Sequence, residues 1–568
     1  MRWILKPKPD SSKIEALQKA LQVDPIVATL LIERGIETYD EAKKFFRPSL
    51  KDLHDPFLMK DMDKAVARIE KAIAKQENIL VYGDYDVDGT TAVALMSSYL
   101  KSKYDLVLTY IPNRYDEGYG ISYKGINFAL ENDFTLIIAL DCGIKSVDKV
   151  AYAKELGIDF IICDHHRPGN KMPNAIAVLD PKQDDCNYPY KELCGCGVGF
   201  KLIQALASKE GKTVEDLVEY LDLVATAIGA DIVPIDGENR VLAYFGLQVI
   251  NSFPRPGIKA ILEKINKTEL TITDVVFVVA PRINAAGRMK HGNFAVTLLV
   301  DTDYEKALQH ASDIDQYNSD RREEDKRITE EALIQIEQNG EQNHLTTVVY
   351  QEDWHKGVIG IVASRLTETY YRPTLVFTKS GDNVLAASAR SVRDFDIYNV
   401  LEACSEHIEQ FGGHKYAAGL TLKEENYQAF KHAFEDEVSK TIDRSLLIPE
   451  IKIDAKIDLK DITPKFYRII KQFAPFGPEN MTPVFMTDNL KDTGYGKCVG
   501  EDKTHLRITV TQPNSNSLVS IGFGMGDKVN LITENKIFKA VYSVDENEWN
   551  GNVSLQLKLR DIKAQDSE

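Results

Sequence analysis

The chain has 568 residues, 43% hydrophobic and 27% charged, an ordinary globular composition with length for about three domains. No segment approaches the ~20 apolar residues of a membrane span, the opening MRWILKPKPD lacks the apolar stretch of a secretory signal, and Cys194 and Cys196 stand too close together for a usual zinc knuckle. The expected location is therefore cytoplasmic with reduced, packed thiols, and the formal charge of −17 weighs against a polyanionic partner without excluding one, because a bound divalent cation inverts the field of a carboxylate cluster.

In chain order, residues 1–60 read as a turn-rich lead-in with short helical patterns. From 61 to 300 short apolar runs alternate with amphipathic helices: ILVYG, LVLTYIP, TLIIAL, FIIC and AIAVLD are separated by stretches such as TTAVALMSSYLKSK and SVDKVAYAKELG. That alternation predicts a parallel sheet with helices on both faces. Residues 301–340 carry almost no turn signals and predict one long connecting helix, whose run DRREEDKR reads as a solvated face. A smaller α/β domain follows over 341–445, with strands TTVVY, TLVFT and VLAASAR. From 449 to 568 the period is two, which predicts an all-β barrel of about five strands of the OB type.

Polar residues sit where the strands of the first domain end. ILVYG runs into Asp84, Asp86 and Asp88, TLIIAL into Asp141, FIIC into Asp164, His165 and His166, and AIAVLD into Asp180. Ligands of an open parallel sheet bind beyond those carboxyl ends. Three like charges at alternate positions repel unless a cation lies between them, although a solvated Asp turn closed by Gly89 is the common alternative. Carboxylates with imidazole and few thiolates suit Mn²⁺ or Mg²⁺, and a shared carboxylate could hold two ions for attack on a phosphodiester.

GDYDVDG, LDCG, CDHH and GADIVP resemble, in order, the four motifs of the DHH phosphoesterase superfamily, and FGGHKYAAGL resembles the glycine-rich signature of the DHHA1 domain. With PNRYDEGYG, PRINAAGR, WHKGVIGIVASRL and PFGPEN the pattern is similar to the RecJ family of single-strand-specific exonucleases, from about residue 30 onward. The resemblance implies a DHH catalytic domain at 61–300, a DHHA1 domain at 341–445, and an OB-fold nucleic-acid-binding domain at 449–568. It implies 5′ to 3′ degradation of single-stranded DNA in repair and recombination, with two Mn²⁺ or Mg²⁺ ions, and it admits a single-strand-binding protein or a helicase as partner.

Carried over by position, Asp86, Asp88, Asp141, His165 and Asp231 match the metal ligands, with Asp141 as the bridge, and His166 matches the residue that approaches the scissile phosphate. Asp84 has no ligand counterpart and is expected to add a ligand or hold a water. The superfamily often has His where Tyr82 stands, so the first metal site is expected to be weaker, with Asp84 as substitute. Asp164 is expected to orient a histidine from behind. Arg114, Ser388 and Arg390 match positions that hold a 5′-terminal phosphate. Arg282 and Arg288 match strand contacts, with structural pairing the alternative. His414 is expected to bind phosphate, against a Gly-Gly turn beside a buried His. His355 is read as structural or as a substrate contact of the second domain. The rival functions are an oligoribonuclease, a cyclic dinucleotide phosphodiesterase, and a non-catalytic replication scaffold. The enzyme rivals are typically shorter and lack a terminal barrel, and the intact acidic motifs weigh against the scaffold.

Overall fold

The structure is a computed structural model that describes residues 1–568 except 266, 268, 534, 535, 550 and 568. It opens with the short strand β1 (Arg2–Leu5) and three helices, Ser11–Leu21, Pro25–Ile32 and Tyr39–Phe46. The first large sheet follows with β2 (Asn78–Gly83), β3 (Val107–Tyr110), β4 (Phe134–Leu140), β5 (Asp159–Cys163) and β6 (Ala177–Leu179). All are parallel, in the order β3-β2-β4-β5-β6. Neighbouring side chains of a strand point to opposite faces. Ile79, Val81, Leu136 and Ile138 therefore enter one core, while Leu80, Tyr82, Ile137 and Ala139 enter the other. Burial on both sides is why these strands read as unbroken apolar runs.

The strand order reverses between β2 and β4, and the crevice of an open α/β sheet forms at such a switch point. After β6 the chain becomes helical, and helices such as Gly195–Lys209, Leu221–Asp231 and Ala280–Met289 pack over one sheet face. The connecting helix is continuous from Tyr304 to Gln338. Asp303 caps it through Glu305 N–H at 3.0 Å, and Ala307, Ala311, Ile314, Ile328, Ala332 and Ile336 form its buried face.

The second sheet holds β7 (Thr347–Tyr350), β8 (Thr374–Gly381), β9 (Val384–Arg390), β10 (Gln410–His414) and β11 (Ala417–Lys423), in the order β10-β11-β9-β8-β7. The FGGH segment is thus an edge strand, not a Gly-Gly turn, and His414 is exposed rather than buried. Beyond it, β12 (Glu450–Ile453) pairs in parallel with β1. The barrel comprises β13 (Ala455–Lys456), β14 (Phe485–Asp492), β15 (Lys497–Val499), β16 (His505–Thr511), β17 (Leu518–Gly522), β18 (Phe538–Trp549) and β19 (Asn552–Ala564). Five strands close on themselves as β14-β18-β19-β17-β16, with β16 returning to β14.

Residues 1–60 are more than a lead-in. Ile14, Leu17, Val27, Leu30 and Phe45 share one hydrophobic core with Phe466, Phe473, Phe485 and Phe538 of the C-terminal region. Arg240, in the helix Gly237–Ser252, ties them together: its guanidinium donates to the carbonyls of Phe45 (3.0 Å), Phe473 (2.8 Å) and Ala474 (3.0 Å).

Candidate active site

Each strand end delivers its side chain through a local device. Asp86 is the N-cap of the helix Val87–Lys101, where its Oδ1 accepts the Gly89 N–H at 3.0 Å. Asp88 in the first turn is buried, and both its oxygens accept backbone N–H groups at the start of the helix Gly195–Lys209, from Gly195 at 2.6 Å and Cys196 at 2.7 Å. A helix N-terminus favours such a carboxylate. Asp141 follows β4 in the left-handed region at φ 58. A side chain at Gly195 would sit 2.8 Å from the Asp141 Cα, so only glycine lets that helix start against Asp141.

His165 is the centre. Its Nε2 lies 3.1 Å from Asp141, 3.6 Å from Asp231 and 3.7 Å from Asp88. Ligand atoms of Asp88, His165 and Asp231, and of Asp141, His165 and His166, converge within 4.8 Å of one another. His165 Nε2, Asp141 Oδ1 and Asp84 Oδ2 are buried without a hydrogen-bond partner. Burial, then the like charge of Asp86, pushes Asp88 up to about 7. Burial, then Asp88, pushes Asp141 well above the usual carboxylate range. Asp231 closes the helix Leu221–Asp231, the end where a negative charge is disfavoured. Orphaned atoms, crowded carboxylates and an acid at a helix C-terminus all fit a divalent cation between them. Burial holds the His165 imidazole down to about 3, neutral with a free lone pair.

Asp84 and Asp86 flank this centre. Asp84 Oδ1 accepts the Gly120 N–H at 3.1 Å. Tyr82 takes no part, because its hydroxyl turns away to donate to the Gly120 carbonyl at 2.9 Å. Asp164 stands behind, as expected: it accepts from the backbone of Ile144 at 2.9 Å and of His165 at 2.7 Å, and lies 2.7 Å from His166 Nδ1. Burial opposes charge on both partners, yet their contact holds Asp164 at about 2 and His166 at about 9.

A group of guanidinium side chains gathers around Arg288, and its member Arg114 also acts on Asp84. Arg114 rests 3.9 Å over the Tyr85 ring, and its Nε is buried without a partner. Ser388 and Arg390 share a face of β9, with Arg390 Nη1 donating to Ser388 Oγ at 3.1 Å. Arg288 donates to the Gly357 carbonyl at 3.0 Å, and burial, then the neighbouring Arg114, Arg321 and Arg390, lowers it to about 10. Gly360, in the first turn of the helix Ile359–Tyr370, leaves room here, since a Cβ would stand 2.9 Å from Ser388 Oγ. The pairing His414–Ala417–Arg390 puts His414 on the Arg390 side of the sheet, two strands away and so about 10 Å distant. Arg282 does not join them: it pairs with Asp315 at 2.9 Å and donates to the Val278 carbonyl at 2.8 Å. His355 packs edge-on to Tyr115, with ring centroids 6.4 Å apart.

The DHH family N-terminal domain matches residues 78–228, the DHHA1 domain 342–440 and the RecJ OB domain 453–561. The single-stranded-DNA-specific exonuclease RecJ of Bacillus subtilis is 37% identical over 99% of this chain and 70% of its own length. The chain belongs to the RecJ family. The RecJ of Escherichia coli is 32% identical over 95% of this chain and 96% of its own. A crystal structure of RecJ from Thermus thermophilus in complex with Mn²⁺ superposes with a TM-score of 0.86 at 26% identity, covering 100% of this chain and 80% of that one. The Mg²⁺ complex of that protein gives 0.79 at 25% identity, over 100% and 79%.

Proposed function

We propose that the protein hydrolyses single-stranded DNA from its 5′ end with Mn²⁺ or Mg²⁺ as resident cation. The carrying observation is a carboxylate–imidazole cluster built around His165, with Arg114 near enough to act on Asp84 and grouped with Arg288 and Arg390, whose own contacts are a hydroxyl and backbone oxygens.

Asp88, Asp141, His165 and Asp231 are the proposed ligands, with Asp86 completing a two-ion set and Asp84 at its margin. When bound there, the cations would supply Lewis acidity toward the phosphoryl oxygens and toward an attacking water. His166, an imidazolium at neutral pH through its contact with Asp164, sets its positive charge beside the scissile phosphate and stabilises charge in the transition state. Arg114, Ser388 and Arg390 hold the terminal 5′-phosphate by charge-assisted hydrogen bonds, with Arg288 as floor and His414 at the rim. Arg282 serves as a brace between helices. The barrel holds the incoming strand by stacking and backbone contacts. Action in the cytoplasm on DNA under repair or recombination, beside a single-strand-binding protein or a helicase, completes the proposal.

The test is an end-labelled assay with Mn²⁺ on single-stranded DNA, duplex DNA and dinucleotides. Expected is stepwise loss from the 5′ end of single strands, little cleavage of duplex or dinucleotide, and none in excess EDTA. Release from the 3′ end, or equal cleavage of dinucleotides, rejects the proposal.

A further inference from the structure

A chain of ring contacts runs from the terminal-phosphate arginine to the catalytic imidazole. Arg114 lies over the Tyr85 ring at 3.9 Å. Tyr85 meets Tyr119 edge-on, with centroids 6.0 Å apart and planes at 85°. Tyr119 meets His166 edge-on at 6.0 Å and 81°, and its Oη lies 3.2 Å from His166 Nε2. The other ring nitrogen, Nδ1, lies 2.7 Å from Asp164 Oδ1. The imidazole is therefore fixed at one nitrogen by the sheet and at the other by the loop 113–120.

That loop is wired to both ends of the cleft. Gly120 N–H donates to Asp84 at 3.1 Å, the Tyr115 hydroxyl donates to the Arg288 carbonyl, and the Asn113 N–H donates to Glu117 Oε1 at 2.8 Å. The side chain of Tyr119 adds nothing to a core, since the residue is 51% exposed. Together with His166 it borders a cavity of about 450 Å³ at the ends of β4 and β5. Although the residue is half exposed, burial is the main influence on its hydroxyl, whose oxygen meets His166 Nε2, and that contact holds the imidazole.

We propose that Tyr119 is a positioning residue: it sets the orientation of His166 and, through Tyr85, makes that orientation depend on Arg114 being pinned by a terminal phosphate. An imidazole held at one nitrogen can turn about its side-chain torsions, whereas one held at both cannot. Misplacement of a reacting group by about 1 Å costs on the order of a hundredfold in rate. End recognition would thereby feed directly into catalysis. The proposal deepens the 5′-end reading above and rests on it.

The test is Tyr119→Phe, which keeps every ring contact and removes only Oη, in steady-state and single-turnover assays on strands carrying a 5′-phosphate or a 5′-hydroxyl. Expected are an unchanged melting temperature, an unchanged KM, and a kcat on phosphorylated strands about tenfold lower. The hydroxyl-ended strand should slow less, so the preference for phosphate shrinks. In a His166→Asn background Tyr119→Phe should cost nothing further. Wild-type rates, a rise in KM alone, or losses that add in the double variant each overturn the proposal. A wild-type enzyme indifferent to the terminal phosphate overturns 5′-end recognition and the coupling to Arg114 together. The kcat loss and the double variant then still decide whether Tyr119 positions His166.

Discussion

At the scale of single residues the site is organised by repulsion. Asp141 is buried, left-handed and without a hydrogen-bond partner for Oδ1, an arrangement that is costly unless a cation is present. Asp141→Asn keeps the shape, and Asn tolerates the left-handed backbone. It should lower cleavage at least about a hundredfold while the EDTA-treated variant melts no lower than EDTA-treated wild type. Activity within a few-fold of wild type at saturating Mn²⁺ would remove Asp141 from the cluster. The same crowding has a pH signature. Without metal, Asp88 at about 7 and Asp141 well above the usual range bind protons that the unfolded chain, with carboxyls near ~3.9, does not. The contribution of Asp88 is fully present below about pH 4 and is lost as pH rises through 7, and that of Asp141 runs in the same direction. His166, raised to about 9, adds stability that disappears only above neutral pH. A cation replaces the protons, so the gain in melting temperature on adding Mn²⁺ should be larger at pH 8 than at pH 6. A gain independent of pH would mean that these carboxylates do not hold it.

At the scale of elements, the parallel strands and the residues at their ends were legible because burial on both faces leaves an unbroken apolar run that stops where the polar site begins. The partners of those residues were not. The N–H groups that satisfy Asp88 come from Gly195 and Cys196, more than a hundred positions away, and the glycines of CGCGVGF carry no local mark of what their helix faces. A Cβ at Gly195 would stand 2.5 Å from the Asp141 Cβ. Gly195→Ala should therefore displace Asp141 and weaken Mn²⁺ binding, read by titration, about tenfold or more. Wild-type affinity would show that the helix start can retreat without cost. The strands β10 and β11 escaped notice because FGGHKYAAGL is rich in glycine and alanine, and β18 because DENE, which pairs along β19, reads as a loop. VLAASAR was legible as a strand, on which Ser388 and Arg390, two apart, share a face and a hydrogen bond. Arg390→Ala should slow strands with a 5′-phosphate about ten- to hundredfold and barely affect strands with a 5′-hydroxyl. Equal slowing of both would make Arg390 a general backbone contact.

At the scale of the whole molecule, the N-terminal helices and the C-terminal region form one body, which no local pattern announces because β1 and β12 pair across 448 positions of the sequence. Removing 449–568 alone would strip the cover from Ile14, Leu17, Val27 and Leu30, leave β1 an unpaired edge, and take from Arg240 its acceptors Phe473 and Ala474. Buried apolar surface returned to water costs about 25 cal/mol per Å², and an orphaned guanidinium adds to that. Residues 1–448 should therefore melt well below the intact chain and aggregate. Residues 48–448 lack the helices Ser11–Leu21, Pro25–Ile32 and Tyr39–Phe46 but keep Leu50, Met59 and Met62, which pack in the catalytic core. They should be the better-behaved fragment, with Arg240 opened to solvent. That fragment retains the metal cluster, the arginine cleft and the loop 113–120. It should cleave very short strands in Mn²⁺ at a rate near that of the intact protein, yet bind long oligonucleotides more weakly, because the barrel proposed to hold them is gone. Melting curves of the two fragments separate this from simple loss of a binding domain: if 1–448 melts as cooperatively and as high as the intact chain, the shared core is not what holds the ends. If 48–448 matches the intact protein on long strands, the barrel is not where they bind.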